Sequence, residues 1–272
     1  MNSSDISTYE KSLLLSQPLR EPGLKNIIQY LPLPSSGIGL DIGCGTGFTT
    51  FMLAEALGPA GSVIGFDIEE RFLQSARLLR QNKPQIRERV EFVQGNAGDL
   101  PFSGKSFDWA VSIDCVGVLD IDPVIMLKEI GRVLKPGGRV FIIMWSSQML
   151  LPGYPLLEAQ LNATAAGIAP FKTGMAPDRH IMRAPEWFRS AGFQDIQTHT
   201  CAMDVCSPLS AEIIVAVSDL FIMRWGSCEK EVAPEIWHDY QRLCQPDSTE
   251  FILNVPGYYA FFTYSVFSAR NS

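Results

Sequence analysis

Apolar positions along the chain fall into short continuous runs and longer periodic ones, and the two kinds take turns. Ile38–Ile42, Ser62–Phe66, Val90–Gln94 and Ser106–Ile113 are short runs rich in β-branched and aromatic residues, and they read as strands. Phe48 to about Leu57 and Glu70 to Asn82 read as the helices between them. The second of these places Phe72, Leu73, Ala76 and Leu79 near one side. Arg71, Arg77, Arg80 and the following Lys83 are expected to form a solvated face rather than a binding patch. Asp122-Pro123 opens a helix to Leu134, with proline in its first turn. A Lys135–Gly138 turn and a fifth strand come next. Ahead of the first strand, Leu13–Leu15 and then Leu24, Ile27, Ile28 and Leu31 predict one or two short helices ending at Pro32 and Pro34. Residues 149–170 contain one charged side chain, Glu158, and read as an apolar helix between proline-containing loops. Ala211–Trp225 and Glu231–Leu243 are two further helix candidates, and Tyr258–Ala269 is a final strand rich in β-forming aromatics.

The first strand leads into Leu40–Gly47, LDIGCGTG, and then into a helix. Gly43, Gly45 and Gly47 allow a tight turn with no Cβ in the way of a ligand. Asp41 precedes the turn, and the helix start that follows presents unpaired N–H groups. An acid beside such donors suits a ligand carrying both ammonium and carboxylate. The dinucleotide fingerprint G-x-G-x-x-G is not met, since its third glycine falls at Phe48 or Thr50, and no Gly-Lys-Ser/Thr follows for a P-loop. The bland alternative is a glycine turn with no ligand. Asp67 ends the second strand 20 residues past Gly47, placed either to accept from ribose hydroxyls at the strand-end crevice or to cap the next helix. Ile68 beside it can pack on an adenine face.

With 46% hydrophobic and 19% charged residues in 272, the chain can bury a sizeable core. Its net charge of −7 and pI near 5.0 weigh against a broad nucleic-acid-binding surface. The start, MNSSDISTYEKS, lacks the basic and apolar regions of a signal peptide, and no run reaches the roughly 18 apolar residues of a membrane span. Cysteines at 44, 115, 201, 206, 228 and 244 make no C-x-x-C pair, so no metal site is expected, and reduced thiols in the cytoplasm are the default.

LDIGCGTG, the strand-two acid, Asn96-Ala97, FDWAVSID (107–114) and KPGG (135–138) occur in an order that resembles class I S-adenosylmethionine-dependent methyltransferases. The likeness is to the small-molecule, ubiquinone/menaquinone-methyltransferase-like kind. It covers about residues 36–147 strongly, and 184–200 and 258–269 weakly. Pro185–Phe193 is similar to the late helix and turn of that family, leading into a sixth strand at about Asp195–Thr200. The resemblance implies S-adenosylmethionine as cofactor. Asp41, Gly43, Cys44, Gly45 and Gly47 would then surround its methionine end, and Asp67 and Ile68 its ribose and adenine. Asn96 and Ala97 would contact the adenine, although Asn96 stands where the family has an acid; its amide can still accept and donate there. Asp114 would reach the ammonium, and Cys115 and Val116 would line the exit of the methyl group. Cys115 as a nucleophile is the sharper reading, but no histidine lies nearby in sequence, which favours a packed thiol.

The implied architecture is α/β, a three-layer doubly wound seven-stranded sheet. A helical lid is expected from insertions after strand five and between strands six and seven. Its segments are an N-terminal helical stretch (1–36), a Rossmann-like cofactor core (37–147), a first lid insertion (148–183), core completion (184–203 and 257–272) and a second helical insertion (204–256). The implied activity is methyl transfer to a small, apolar or aromatic acceptor in a lidded pocket, by in-line displacement that needs alignment above all. Candidate bases are His180, His199, His238 and Tyr154, with His180 ahead because it lies in the loop joining the first insertion to the core. A thiol-bound metalloid as acceptor would require Cys201, Cys206, Cys228 and Cys244 to converge. The rival readings are a non-catalytic ligand- or partner-binding protein on the same fold and a NAD-dependent oxidoreductase. A thermal-shift series separates the three: S-adenosylhomocysteine should raise the melting temperature and NAD should not, whereas a shift with NAD alone would reject the methyltransferase reading.

Overall fold

The computed structural model describes residues 3–116, 121–169, 171 and 174–272. In chain order the elements are α1 (Ser3–Leu15), α2 (Gln17–Tyr30), β1 (Ile38–Ile42), α3 (Phe48–Ala56), β2 (Ser62–Asp67), α4 (Glu70–Gln81), β3 (Val90–Gln94) and β4 (Phe107–Ile113). They continue with α5 (Pro123–Val133), β5 (Leu134–Met149), α6 (Pro155–Asn162), α7 (Ala184–Ser190), β6 (Gln194–Cys206), α8 (Ala211–Trp225), α9 (Pro234–Cys244) and β7 (Tyr259–Arg270). Seven strands form one sheet in the order β3-β2-β1-β4-β5-β7-β6. β1 pairs in parallel with β2 on one side and β4 on the other. β3 and β5 extend these pairs outward, also in parallel. The chain leaves β1 toward β2 and β3, then returns to place β4 on β1's other edge, so the sheet's order reverses beside β1. In such sheets that reversal opens a crevice at the carboxyl ends of the strands.

The chain divides into two compact units. One comprises Leu24–Trp145, Ala176–Cys201 and Tyr264–Ser272. Its central strands β1, β2 and β4 are largely apolar and buried, as parallel strands covered on both faces must be. Leu40, Ile42, Phe66, Ala110 and Ile142 share a core with Met126, Leu127, Ile130 and Val133 of α5 and with Trp187 and Phe188 of α7. Asp122 caps α5 by accepting from Val124 N–H and Ile125 N–H, and Pro123 occupies the first turn, as the sequence predicts. The cations of α4 are more than a solvated face. Arg77 donates to the Phe92 carbonyl and Arg80 to the Val90 carbonyl, so two of them tie the helix to β3. The KPGG turn proves to be a bulge inside β5. Pairing runs Phe107 with Leu134 and then Trp109 with Arg139, so the chain loops out over 135–138 and re-enters the sheet.

The other unit comprises Met1–Gly23, Ser146–Met175 and Ala202–Thr263. It holds the helices expected of the two insertions, with α1 against α8, and α6, α8 and α9 in mutual contact. The helix expected across 149–170 is confined to Pro155–Asn162. The chain folds back directly afterwards. Thr164 Oγ1 donates to the Leu161 carbonyl and accepts from Gly167 N–H, and a Cβ on Gly167 would collide with that same carbonyl. Glu158, the segment's single charge, is buried. Its carboxylate accepts from Leu150 N–H and Leu151 N–H, fixing the chain reversal before the helix. Trp225 stacks on Phe221 at 5.6 Å and donates to Asn162 Oδ1 at 3.1 Å.

Gly39 lies in mid-strand opposite Trp109, whose ring is fully buried where a Cβ on Gly39 would stand. Gly39→Ala should therefore overpack the centre of the sheet and cost about 1–3 kcal/mol. A fall of several degrees in melting temperature by circular dichroism checks this; an unchanged melt would refute the close approach.

Candidate functional site

β1 and β2 end side by side, and the glycine loop hangs from that junction. Gly43 N–H and Cys44 N–H both donate to the Phe66 carbonyl, at 2.8 and 3.1 Å, which ties the loop to the end of β2. Gly43 has φ +75°, and a Cβ there would run into the Cys115 thiol. Gly47, φ +84°, stands at the start of α3 with no side-chain cap, and a Cβ there would meet the Phe92 ring and Ala76. Both positions need glycine for conformation and for space.

Asp41 is completely buried at the end of β1. Its Oδ2 accepts two hydrogen bonds from the first turn of α3, from Thr49 Oγ1 at 2.8 Å and Thr50 Oγ1 at 2.7 Å. Its Oδ1 has no hydrogen-bond partner among the described residues. Burial pushes this carboxyl up to about 6 against the pull of the two hydroxyls, and the Asp67 charge adds to the rise. A buried acceptor without a partner is costly, and one beside a glycine loop fits a ligand's ammonium group.

Asp67 is half-buried. Its Oδ2 accepts from Gly45 N–H at 2.9 Å and its Oδ1 from Glu69 N–H at 2.9 Å. Glu69 is itself the N-cap of α4, accepting from Arg71 N–H, so Asp67 steers the helix approach without being its cap. Burial raises the Asp67 pKa, and the backbone donors of Glu69, Gly45 and Ile68 partly offset the rise. Each carboxylate oxygen retains a second lone pair, so the two bonds leave room for hydroxyl donors. Ile68 is 60% exposed, an apolar side chain presented at the strand end. Asn96 is exposed with its Oδ1 accepting from Gly98 N–H at 2.8 Å, while Ala97 is buried in the core. Gly95 N–H donates to the Asp67 carbonyl, which brings this turn beside β2's end.

At the end of β4, Asp114 adopts φ +53°, a left-handed conformation that costs a non-glycine residue about 1–2 kcal/mol. Its side chain faces its own framework: Oδ1 accepts from Trp145 N–H at 2.7 Å and Oδ2 from Tyr264 Oη at 2.9 Å. The Trp145 and Tyr264 rings meet edge to face at 5.8 Å. The ammonium contact expected of Asp114 therefore meets a carboxylate already bonded to two other strands, β5 and β7. The Cys115 thiol is pushed up to about 12, first by burial and then by the Asp67 charge. Burial and the Asp41 and Asp67 charges likewise push Cys44 well above the usual range. Both thiols stay protonated, which is the packed-thiol reading.

His180 is half-buried, and its Nδ1 accepts from Met182 N–H at 3.2 Å, capping a short 3-10 helix at 181–183. That bond assigns the ring proton to Nε2, which makes Nε2 a donor rather than a base. His199 and His238 are exposed. Tyr154 is exposed with the Arg242 guanidinium 5.9 Å over its ring. Cys228 and Cys244 are buried, whereas Cys206 is exposed. Among the described residues no group of three or more His, Cys, Asp or Glu side chains could hold a metal ion.

Thr49, Thr50 and Tyr264 are the participants that sequence reasoning missed. The threonines read as ordinary members of an apolar helix, although two adjacent hydroxyls in its first turn, eight and nine residues after a buried acid, were a usable signal. Tyr264 lies 150 residues from Asp114 and gave none.

A family model described as a methyltransferase domain matches residues 35–182. A demethylmenaquinone methyltransferase of Lactococcus lactis subsp. lactis (strain IL1403) is 42% identical over 132 residues, 48% of this chain and 50% of that protein. A demethylmenaquinone methyltransferase of Staphylococcus carnosus (strain TM300) is 38% identical over 159 residues, 56% of this chain and 63% of that protein. The chain thus spans between half and two thirds of these curated relatives. Among solved structures, a SAM-dependent methyltransferase from Aquifex aeolicus matches with a TM-score of 0.55 over 96% of this chain and 97% of that one. At 15% identity this is a likeness of fold.

The folded-state pKa of Asp41, about 6, lies above its ordinary 3.8, so its favourable contribution to stability is present below about pH 4 and lost as pH rises through 6. The gap of roughly two pH units corresponds to something on the order of 3 kcal/mol. In the ligand-free protein, Asp41→Asn should narrow the fall in melting temperature between pH 5 and 7.5; an identical fall in both proteins would contradict the assignment.

Proposed function

Because the chain belongs to the methyltransferase-domain family, we propose that it transfers a methyl group from S-adenosylmethionine to a small, apolar or aromatic acceptor. The observation that carries this reading is the unpartnered, buried Oδ1 of Asp41 beside the glycine loop, with Asp67 at the end of the adjoining strand. The cofactor, when bound, supplies a methyl on a sulfonium sulfur, which leaves as a thioether when the acceptor's electron pair attacks in line. The chain's own residues bind and orient. Asp41 takes the ammonium, which requires the covering Gly43–Gly47 loop to admit it. Asp67 accepts from the ribose hydroxyls while still holding Gly45 N–H and so the loop. Ile68, Asn96 and Ala97 receive the adenine. Asp114, through Trp145 and Tyr264, fixes the β4 exit and thereby the place of Cys115 beside Gly43.

The acceptor class is supported by two features. The matched relatives are named for a quinone-type molecule, and residues 149–170 of the first insertion hold a single charge, Glu158, spent on backbone N–H groups. A carbon acceptor on an electron-rich ring needs little help from a base, which agrees with His180 capping a helix rather than standing ready as one. The acidic net charge favours a small molecule over nucleic acid as partner. Six free cysteines suit a reducing compartment, the cytoplasm. Among the described residues no helix is long and apolar enough to cross a membrane.

Calorimetric titration with S-adenosylhomocysteine tests the binding half, and mass spectrometry of hydroxylated aromatic and quinol acceptors incubated with S-adenosylmethionine tests transfer. Asp67→Asn should weaken S-adenosylhomocysteine about 10- to 100-fold, as expected for lost hydrogen bonds to a charged acceptor. Binding of NAD in place of S-adenosylhomocysteine would reject the proposal.

A further inference from the structure

Asp41 is a carboxylate used on one side only. Thr49 and Thr50 both donate to Oδ2, and among the described residues Oδ1 has no partner. Two hydroxyls from consecutive residues of one helical turn converge on a single oxygen. All three side chains are buried, so water does not substitute for either bond. The arrangement fixes the carboxyl plane and keeps part of its charge from being neutralised. It also places this specification on the first turn of α3, directly after the glycine loop.

We propose that Thr49 and Thr50 are positioning residues for the amino-acid end of the ligand: by saturating one oxygen of Asp41 they dedicate the other to the ligand's ammonium, and so make that ammonium a requirement for tight binding. The inference rests on the methyl-donor reading above and concerns which ligands the same seat accepts. An adenosine thioether lacking the amino-acid portion has nothing to offer Oδ1 and leaves the buried charge uncompensated. The hydroxyls also hold Asp41 ionised at neutral pH, since each bonds to the charged form. The titratable groups facing Asp41 are Asp67 at the end of β2, Cys44 in the loop and Cys115 beyond β4. The two thiols remain protonated across the working range, so among these neighbours Asp67, whose pKa burial raises, is the one whose charge can change what Asp41 feels.

Calorimetric titrations from pH 5 to 8 with two probes, S-adenosylhomocysteine and 5′-methylthioadenosine, test the proposal on the full chain. Both probes carry the ribose, so any contribution from Asp67 appears in both and cancels in their ratio. For the unaltered protein, S-adenosylhomocysteine affinity should fall below about pH 6 while 5′-methylthioadenosine shows no such limb. In T49V/T50V the limb should move up by about one pH unit, with S-adenosylhomocysteine weakened about tenfold or more at pH 7.5 and 5′-methylthioadenosine unchanged. T49S/T50S, which keeps the hydroxyls, should restore both the affinity and the limb. The single variants T49V and T50V carry the test if the double variant does not fold. Equal weakening of both probes, or a limb that stays in place, would overturn the positioning role while leaving the methyl-donor reading intact. Failure of the unaltered protein to bind either probe would overturn both.

Discussion

The reversal of strand order beside β1 is the constraint from which the rest of the candidate site follows. Strands on either side of β1 run parallel to it, and the order of the sheet reverses there, which in such sheets opens a crevice at the carboxyl ends of β1 and β4. Buried and half-buried carboxylates gather at that gap. Asp41 lies in β1 and Asp67 ends β2, while Asp114 follows β4 directly; all three belong to strands whose other residues are largely buried and apolar. A carboxylate in such a place must be held. Two threonines, two backbone N–H groups, and a strand N–H with a tyrosine hydroxyl hold the three in turn.

The same gap explains what was readable in advance. β1 and β3 fall where the apolar runs place them, residue for residue, and β2 and β4 within one residue, because fully covered parallel strands are short apolar runs with sharp punctuation. Fold class and the glycine turn after β1 were legible for the same reason: glycine spacing and strand-end acids are local signals. The uses to which the acids are put were not. For Asp114 the sequence run suggested a ligand contact but gave no sign of its two strand partners, which come from β5 and from β7, far along the chain. The arginines of α4 looked solvated because helical periodicity says which side a residue occupies but not that a neighbouring strand's carbonyls lie within reach. The first insertion was overestimated as helix because its apolar composition suits a helix equally well, and the fold-back at Thr164–Gly167 depends on one hydroxyl and one missing Cβ.

Stability and binding draw on the same atoms here. The Asp41 charge opposes folding of the empty protein, and under the proposed function it would be stabilised by the ammonium it binds. Glu158 in the other unit shows the contrasting solution. It too is a buried carboxylate, but both its oxygens are taken by backbone N–H groups of Leu150 and Leu151. One acid is satisfied internally and is architectural; the other is half-satisfied.

The Asp114–Tyr264 hydrogen bond carries a consequence for how the protein is made. Asp114 belongs to the first half of the chain and Tyr264 to the last strand. On a ribosome the glycine loop, β2 and β4 emerge long before their anchor does. Until β7 is released and inserted between β5 and β6, Asp114 lacks one of the two partners that hold its left-handed backbone in place. Sheet closure and completion of the candidate site are thus one event that awaits β7, and a nascent chain lacking β7 would carry every glycine-loop residue without the hydroxyl that holds Asp114 from that strand.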